Sequence, residues 1–297
     1  MIDGISFAVK YASGKIFGSK SPADYYQSIG DDVIPFRNNE FRDEKKPMWL
    51  NLGYWKNATT YDKACEDLAL LLSGFVDLNE QDHLLDVGFG LGAQDFLWMQ
   101  HHNPASITGL NITPLHVQIA QKLLSKSAYL NKITFMEGSA TEMPFKEEKF
   151  SKITALECAF HFNTREKFFA EAFRVLNPGG LLGLADMATL KNEKFNNLWQ
   201  KRGRRYLCFP DENMYHREIY QQKLEKAGFI DVKIESISGW VYGGARKYFM
   251  KRIFNKSLNP DSFEIKVNEK DLKTGPKLWG FDFGTTDYLL VSARKPF

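Results

Sequence analysis

The sequence predicts a doubly wound α/β fold: a seven-stranded sheet, parallel except for an antiparallel last strand, with a helical cap before it and an insertion near the C-terminus. Three observations carry this. A short apolar run, Leu84, Leu85 and Val87, breaks into alternate glycines at Gly88, Gly90 and Gly92, as a buried strand does when it turns sharply into a helix. Strand-like and helix-like segments then alternate as far as Ala185, a pattern that implies a parallel sheet with ligands at the carboxyl ends of its strands. Finally, an apolar run from Tyr288 to Ala293 arrives after a long excursion instead of a crossover helix, which favours antiparallel insertion beside the sixth strand.

Residues 1–60 hold turn breakers (Gly14, Gly18, Pro22, Pro35, Pro47) and no strand alternation, so they read as a cap of short helices and loops. From Thr60 to about Phe75, Ala64, Leu68, Leu71, Leu72 and Phe75 recur at three and four, one apolar face of a helix. The first strand, 84–87, leads through the glycines into a helix from Ala93 to about His101. A second strand spans Ser106–Asn111. Thr113 and Pro114 then supply a cap and a first helical residue, opening a helix to about Leu130. The third strand is Ile133–Glu137, followed by the polar loop 138–141, and the fourth is Phe150–Leu156. A helix from Thr164 to Leu176 must stop at Asn177-Pro178-Gly179-Gly180. The fifth strand, Leu181–Ala185, ends at Asp186. Residues 191–225 read as helical and basic (Lys201, Arg202, Arg204, Arg205), 232–237 as the sixth strand, and about 239–284 as an irregular, aromatic insertion. The chain thus divides into a cap (1–60), a nucleotide-binding core (61–190) and a C-terminal part (191–297) with lid helices and the last two strands.

The totals exclude several classes. At 297 residues, 43% hydrophobic and 25% charged, the chain has the balance of a soluble globular protein. A net charge of +3 gives no reason to expect a nucleic acid partner. No stretch approaches about 18 apolar residues without a charge, so no membrane span is expected, and the first residues lack the pattern of a secretion signal. Three scattered cysteines, Cys65, Cys158 and Cys208, form neither a disulfide framework nor a metal quartet and read as thiols of a reducing cytoplasm.

The glycine motif alone is ambiguous. Gly88, Gly90 and Ala93 satisfy the dinucleotide fingerprint, which wants an acid about 20 residues later. Asn111 stands there instead, able to hydrogen-bond a ribose hydroxyl without charge. An ordinary α/β protein can also carry such a turn. With Gly88–Gly92, Asn111, Ser139/Ala140, Glu157/His161 and Asp186 all at strand ends, five of them point to one crevice.

Taken with Asn51-Leu52-Gly53-Tyr54-Trp55, Leu85-Asp86-Val87-Gly88-Phe89-Gly90-Leu91-Gly92, Gly109-Leu110-Asn111-Ile112-Thr113-Pro114, Met143-Pro144-Phe145, Glu157-Cys158-Ala159-Phe160-His161-Phe162 and Asn177-Pro178-Gly179-Gly180, the chain resembles the class I S-adenosylmethionine-dependent methyltransferases of small-molecule type, which include sterol, tocopherol and natural-product enzymes. The resemblance runs from about Leu50 to Ala185 and more weakly beyond. It implies a Rossmann-like fold and S-adenosylmethionine as cofactor. Asp86, Gly88, Gly90 and Gly92 would line its methionine and ribose end, Asn111 with Ile112 and His116 its ribose side, Ser139 and Ala140 its adenine. Glu157 would begin the segment that closes over the methionyl part, and Tyr54 would reach in from the cap. The sequence departs from the family at Phe89, where many relatives have cysteine, at Asn111 and Ser139, where acids are common, and at His116, where glutamine is frequent.

Methyl transfer from a sulfonium needs a nucleophile held in line and water kept out, and an acceptor proton can be taken by histidine. His161, four residues after Glu157, is the candidate base; the alternative is a histidine that only shapes the pocket. Asp186 either orients His161 or an acceptor hydroxyl, or caps the next helix. The expected reaction is methylation of O, N or activated C of a small, apolar metabolite by a monomer or homodimer. No metal, nucleic acid or stable membrane insertion is expected. The rival expectation is a non-catalytic sensor or scaffold on the same nucleoside-binding fold.

Overall fold

A computed structural model of the protein describes residues 48–190, 208–254, 264–268, 277–278, 281–282 and 285–297. The cap residues 1–47, the basic cluster 201–205 and most of the segment 255–284 lie outside the described residues. In chain order the elements are α1 (Tyr61–Phe75), β1 (His83–Val87), α2 (Ala93–His101), β2 (Ser106–Asn111), α3 (Pro114–Leu124), β3 (Ile133–Glu137), β4 (Phe150–Leu156), a 3-10 turn (Ala159–His161), α4 (Arg165–Val175) and β5 (Leu176–Thr189). A second 3-10 turn (Asp211–Asn213), α5 (Arg217–Lys226), β6 (Ile230–Ser236), α6 (Ser238–Phe254), the two-residue strands β7 (Lys277–Leu278) and β8 (Phe281–Asp282), and β9 (Thr286–Arg294) follow.

Seven strands form one sheet in the order β3-β2-β1-β4-β5-β9-β6. The ladders from β3 through β5 are all parallel. Strand β9 runs antiparallel between β5 and β6, pairing Leu181 with Arg294 at one end and Thr189 with Thr286 at the other. It is therefore a neighbour of the sixth strand, as expected, and of the fifth as well. One face of the sheet carries α1, α2 and α3 through Leu68, Leu72, Trp98 and Ala120; the other carries α4 and α5 through Phe168, Phe169, Tyr220 and Leu224. Both faces are covered, so the central strands read as continuous apolar runs.

Local chemistry sets most boundaries. Thr60 caps α1, its hydroxyl accepting the Lys63 N–H at 3.4 Å, and Pro114 stands at the start of α3. Helix α3 stops at Leu124, short of the Leu130 expected from its pattern. The Ser125 N–H still bonds the Gln121 carbonyl, but its hydroxyl turns back onto Lys122 O at 2.8 Å, the competition with backbone that makes serine a poor helix interior. Strand β5 extends past 181–185 in both directions, β4 pairing with Leu176 at its start and β9 with residues as far as Thr189 at its end.

The segment after β6, expected to be irregular from Gly239, begins instead as α6. Its buried Val241, Tyr242, Ala245 and Tyr248 lie on one helical face. Gly243-Gly244 masks that pattern by reading as a break, yet a Cβ on Gly244 would meet the Trp55 ring at 2.1 Å. The glycine is there to admit the indole. The Trp55 backbone N–H also donates to Trp240 O at 2.7 Å, and Tyr61 stacks on Tyr248 with centroids 4.4 Å apart. Aromatic residues from the turn before α1, from α1 and from α6 thus form a small core of their own with Ile265.

Candidate active site

At the carboxyl ends of the strands lies a cavity of about 810 Å3, toward the upper end of the range of about 300–1,000 Å3 that small-molecule sites occupy. Gly88 and Gly90 line it from the β1 loop. Gly88, Gly90 and Gly92 all hold positive φ, at 74°, 59° and 86°, a region closed to most side chains. At Gly88 a Cβ would also strike the Cys158 sulfur at 2.6 Å. Cys158 itself lines the cavity and directs its thiol to Val87 O at 3.0 Å; it lies inside a motif the sequence displayed but was given no role. Gly92 shapes the turn without reaching the cavity.

Asp86 is not a lining residue. It is fully buried behind the loop, accepting from Thr154 Oγ1 at 2.9 Å and Gln94 Nε2 at 3.0 Å, and Gln94 lines the cavity in its place. Burial raises the Asp86 pKa to about 7 against those two hydrogen bonds.

Asn111, Ile112 and His116 line the next wall, Ser139 and Ala140 the one beyond. Asn111 is held by its own turn, Oδ1 accepting the Thr113 N–H at 3.0 Å. His116 is buried in the first turn of α3, and burial lowers its pKa to about 4. It is therefore a neutral imidazole with one donor and one acceptor, a polar and uncharged group as the amide of a glutamine would be. The departures from the family pattern leave this wall polar and uncharged.

Glu157 lies at the opposite wall, just past β4, in a left-handed conformation with φ of 53°. One carboxylate oxygen accepts both the Leu52 N–H at 2.9 Å and the Tyr288 hydroxyl at 2.6 Å. It joins the turn 51–55 to the sheet and to β9. Tyr54, expected to reach the cofactor, is not a lining residue; its N–H bonds Ala64 O, and Leu50 and Asn51 of the same turn face the cavity instead. Burial raises the Glu157 carboxyl to about 7, its two donors opposing. An acid raised above its unfolded pKa costs nothing when protonated and destabilises progressively as pH climbs through the folded value. Glu157→Gln keeps an acceptor for both donors. Its melting temperature should match the native, ligand-free protein near pH 4 and exceed it near pH 8, by up to about 3 kcal/mol of stability. A difference that stays flat with pH would show that Glu157 is not the group responsible.

His161 ends the 3-10 turn after β4 and lines the cavity, only 6% exposed. Its ring lies 4.1 Å from the Phe160 centroid and 5.6 Å from that of Phe209, and Phe160 and Phe209 stack at 4.5 Å. Nδ1 stands 3.4 Å from the Cys208 carbonyl. A carbonyl only accepts, so this contact selects the tautomer with Nδ1 protonated and the lone pair on Nε2.

Asp186 departs from both of its expected roles. It lies inside β5, so it caps no helix, and it is not among the residues lining the cavity. Its carboxylate accepts from Arg165 Nε at 2.7 Å, the Tyr220 hydroxyl at 2.9 Å and the Met187 N–H at 2.9 Å. The sequence pointed five strand ends at one crevice; four reach it. Phe162, Lys167, Phe209 and Glu212 complete the cavity on the His161 side, from segments whose convergence no local pattern announces.

Among the described residues no group of His, Cys, Asp and Glu is placed to hold a metal, and no helix is long and apolar enough to cross a membrane. A family profile described as a methyltransferase domain matches residues 85–184. The erythromycin 3''-O-methyltransferase of Saccharopolyspora erythraea is 35% identical over 84% of this chain and 84% of its own. The 27-O-demethylrifamycin SV methyltransferase of Amycolatopsis mediterranei is 25% identical over 86% of this chain and 94% of its own. The crystal structure of the 4+2 cyclase SpnF superposes with a TM-score of 0.69 over 94% of this chain and 96% of that one, at 18% identity, a likeness of fold alone.

Proposed function

As this chain belongs to the class I S-adenosylmethionine-dependent methyltransferases, we propose that it methylates a hydroxyl oxygen of a small natural product. The observation that carries the choice of oxygen is the similarity to the erythromycin 3''-O-methyltransferase over 84% of both chains; the rifamycin relative, also named for an oxygen, agrees with it.

The cavity suits the cofactor in three respects. The glycine turn gives close access to backbone, the walls at Asn111, His116 and Ser139 are polar and neutral, and Glu157 is a buried acid that no described lysine or arginine pairs with. A nucleoside bearing a positive centre satisfies all three. When bound, S-adenosylmethionine supplies an electrophilic methyl carbon on a sulfonium.

The chain's own residues do the rest. Gly88, Gly90 and Asn111 would hold the nucleoside, with Ser139 and Ala140 against its base and Glu157 beside its charged end. Phe162 and Phe209, the latter backed by the Phe160 ring, give the acceptor side an aromatic wall that excludes water and favours an apolar acceptor. His161 Nε2 takes the hydroxyl proton as the oxygen becomes the nucleophile. Asp86, buried behind the glycine turn, accepts from Gln94 and so ties the strand before the turn to the helix after it.

Calorimetry with S-adenosylhomocysteine, followed by incubation of labelled cofactor with hydroxylated macrolides and ansamycins, tests this reading. Binding together with label recovered as an ether is the expected result. Label on nitrogen or carbon would overturn the choice of oxygen; no binding at millimolar ligand would overturn the cofactor site.

A further inference from the structure

Two hydrogen bonds from one buried side chain reach the residues on either side of His161. Asn213, buried at 2% exposure in the second 3-10 turn, donates from Nδ2 to Phe160 O at 3.0 Å and to Phe162 O at 2.7 Å, the carbonyls on either side of the histidine. Its Oδ1 accepts the Arg165 N–H at 2.9 Å, and its backbone carbonyl accepts from the Arg165 guanidinium. The same guanidinium is fixed by Asp186 and by Met187 O. A primary amide is the one small side chain that offers two donors and an acceptor together, and here all three are used.

The segment that carries Asn213 also touches His161 and its neighbour Phe160. Cys208 O receives the histidine Nδ1 at 3.4 Å, and Phe209 stacks on Phe160. One stretch, 208–213, thus sets the backbone on both sides of the histidine, its ring environment and its tautomer.

We propose that Asn213 is a positioning residue for the reaction: it holds the His161 turn so that Nε2 keeps its lone pair and its place toward the acceptor. This rests on His161 being the base. Asp186, which the sequence offered either as a direct orienter or as a helix cap, acts one step removed, by holding Arg165 against Asn213. The acceptor wall and the base are one mechanical unit.

The test is a double-mutant cycle in kcat at saturating cofactor and acceptor, using Asn213→Ser, His161→Ala and their combination, with melting curves and S-adenosylhomocysteine binding measured alongside. Asn213→Ser should lose kcat by on the order of tenfold or more, keep its cofactor-product affinity, and cost little further in the His161→Ala background. Should the serine variant melt below the assay temperature, Asn213→Asp, which keeps the volume and the acceptor toward Arg165, takes its place. Equal losses in both backgrounds, or a loss that only follows the folded fraction in both variants, overturn the proposal and leave Asn213 structural. His161→Ala with full turnover overturns the base itself, an outcome read from that single variant and distinct from additivity in the cycle.

Discussion

A His161→Ala variant is expected to turn over about 10²–10⁴-fold more slowly than the native protein, while still binding S-adenosylhomocysteine. The expectation follows from where the ring is and what surrounds it. It lines the cavity, is almost fully enclosed, and touches two aromatic rings and a carbonyl. A neutral hydroxyl is a weak nucleophile, and in a site shielded from water a nearby imidazole is the means of removing its proton. The glycine turn, Asn111 and Ser139 are untouched by the substitution, so the loss should fall on kcat and leave cofactor-product affinity close to native. Single-turnover measurements separate the methyl-transfer step from release. A variant that transfers methyl at the native rate would reduce His161 to a wall of the pocket and return the reaction to positioning alone.

The largest effect on stability is expected at Arg165. Its side chain is 1% exposed and that of Asp186 is 0%, so the pair has no water to fall back on. Arg165→Met should cost about 3–5 kcal/mol, because it leaves a carboxylate buried with only Tyr220 and one backbone N–H to satisfy it. The methionine also abandons the carbonyls of Asn213 and Met187. Urea denaturation at neutral pH measures the loss. Adding Asp186→Leu to Arg165→Met should recover part of it, since removing both charges is far less costly than removing one. A single-variant loss below about 1 kcal/mol, the range of exposed pairs, would show that the pair is not the keystone its burial indicates.

Much of the fold was legible in the chain. Strands 106–111, 133–137 and 150–156 and the start of each helix from α1 to α4 were set by near-neighbour chemistry: apolar runs bounded by breakers, Thr60 as a cap, the Thr113-Pro114 pair. The glycine turn was legible for the same reason, since positive φ at 88, 90 and 92 is a property of the residues themselves. Helix α6 was hidden because Gly243-Gly244 serves a close approach to Trp55, a residue nearly two hundred positions earlier in the chain.

By itself, then, the sequence determined the order of strands and helices from α1 to β5, the glycine turn after β1 and the identity of the candidate base, all of which rest on residues adjacent in the chain or one helical turn apart. Only the tertiary structure decided that β9 enters between β5 and β6, that Asn51 and Leu50 rather than Tyr54 face the cavity, and that Asp186 belongs to Arg165 and Tyr220. A buried polar group takes whatever donor the folded chain brings within 3 Å of it. Periodicity tells which side of a strand is covered, and says nothing about which of many distant side chains will arrive there.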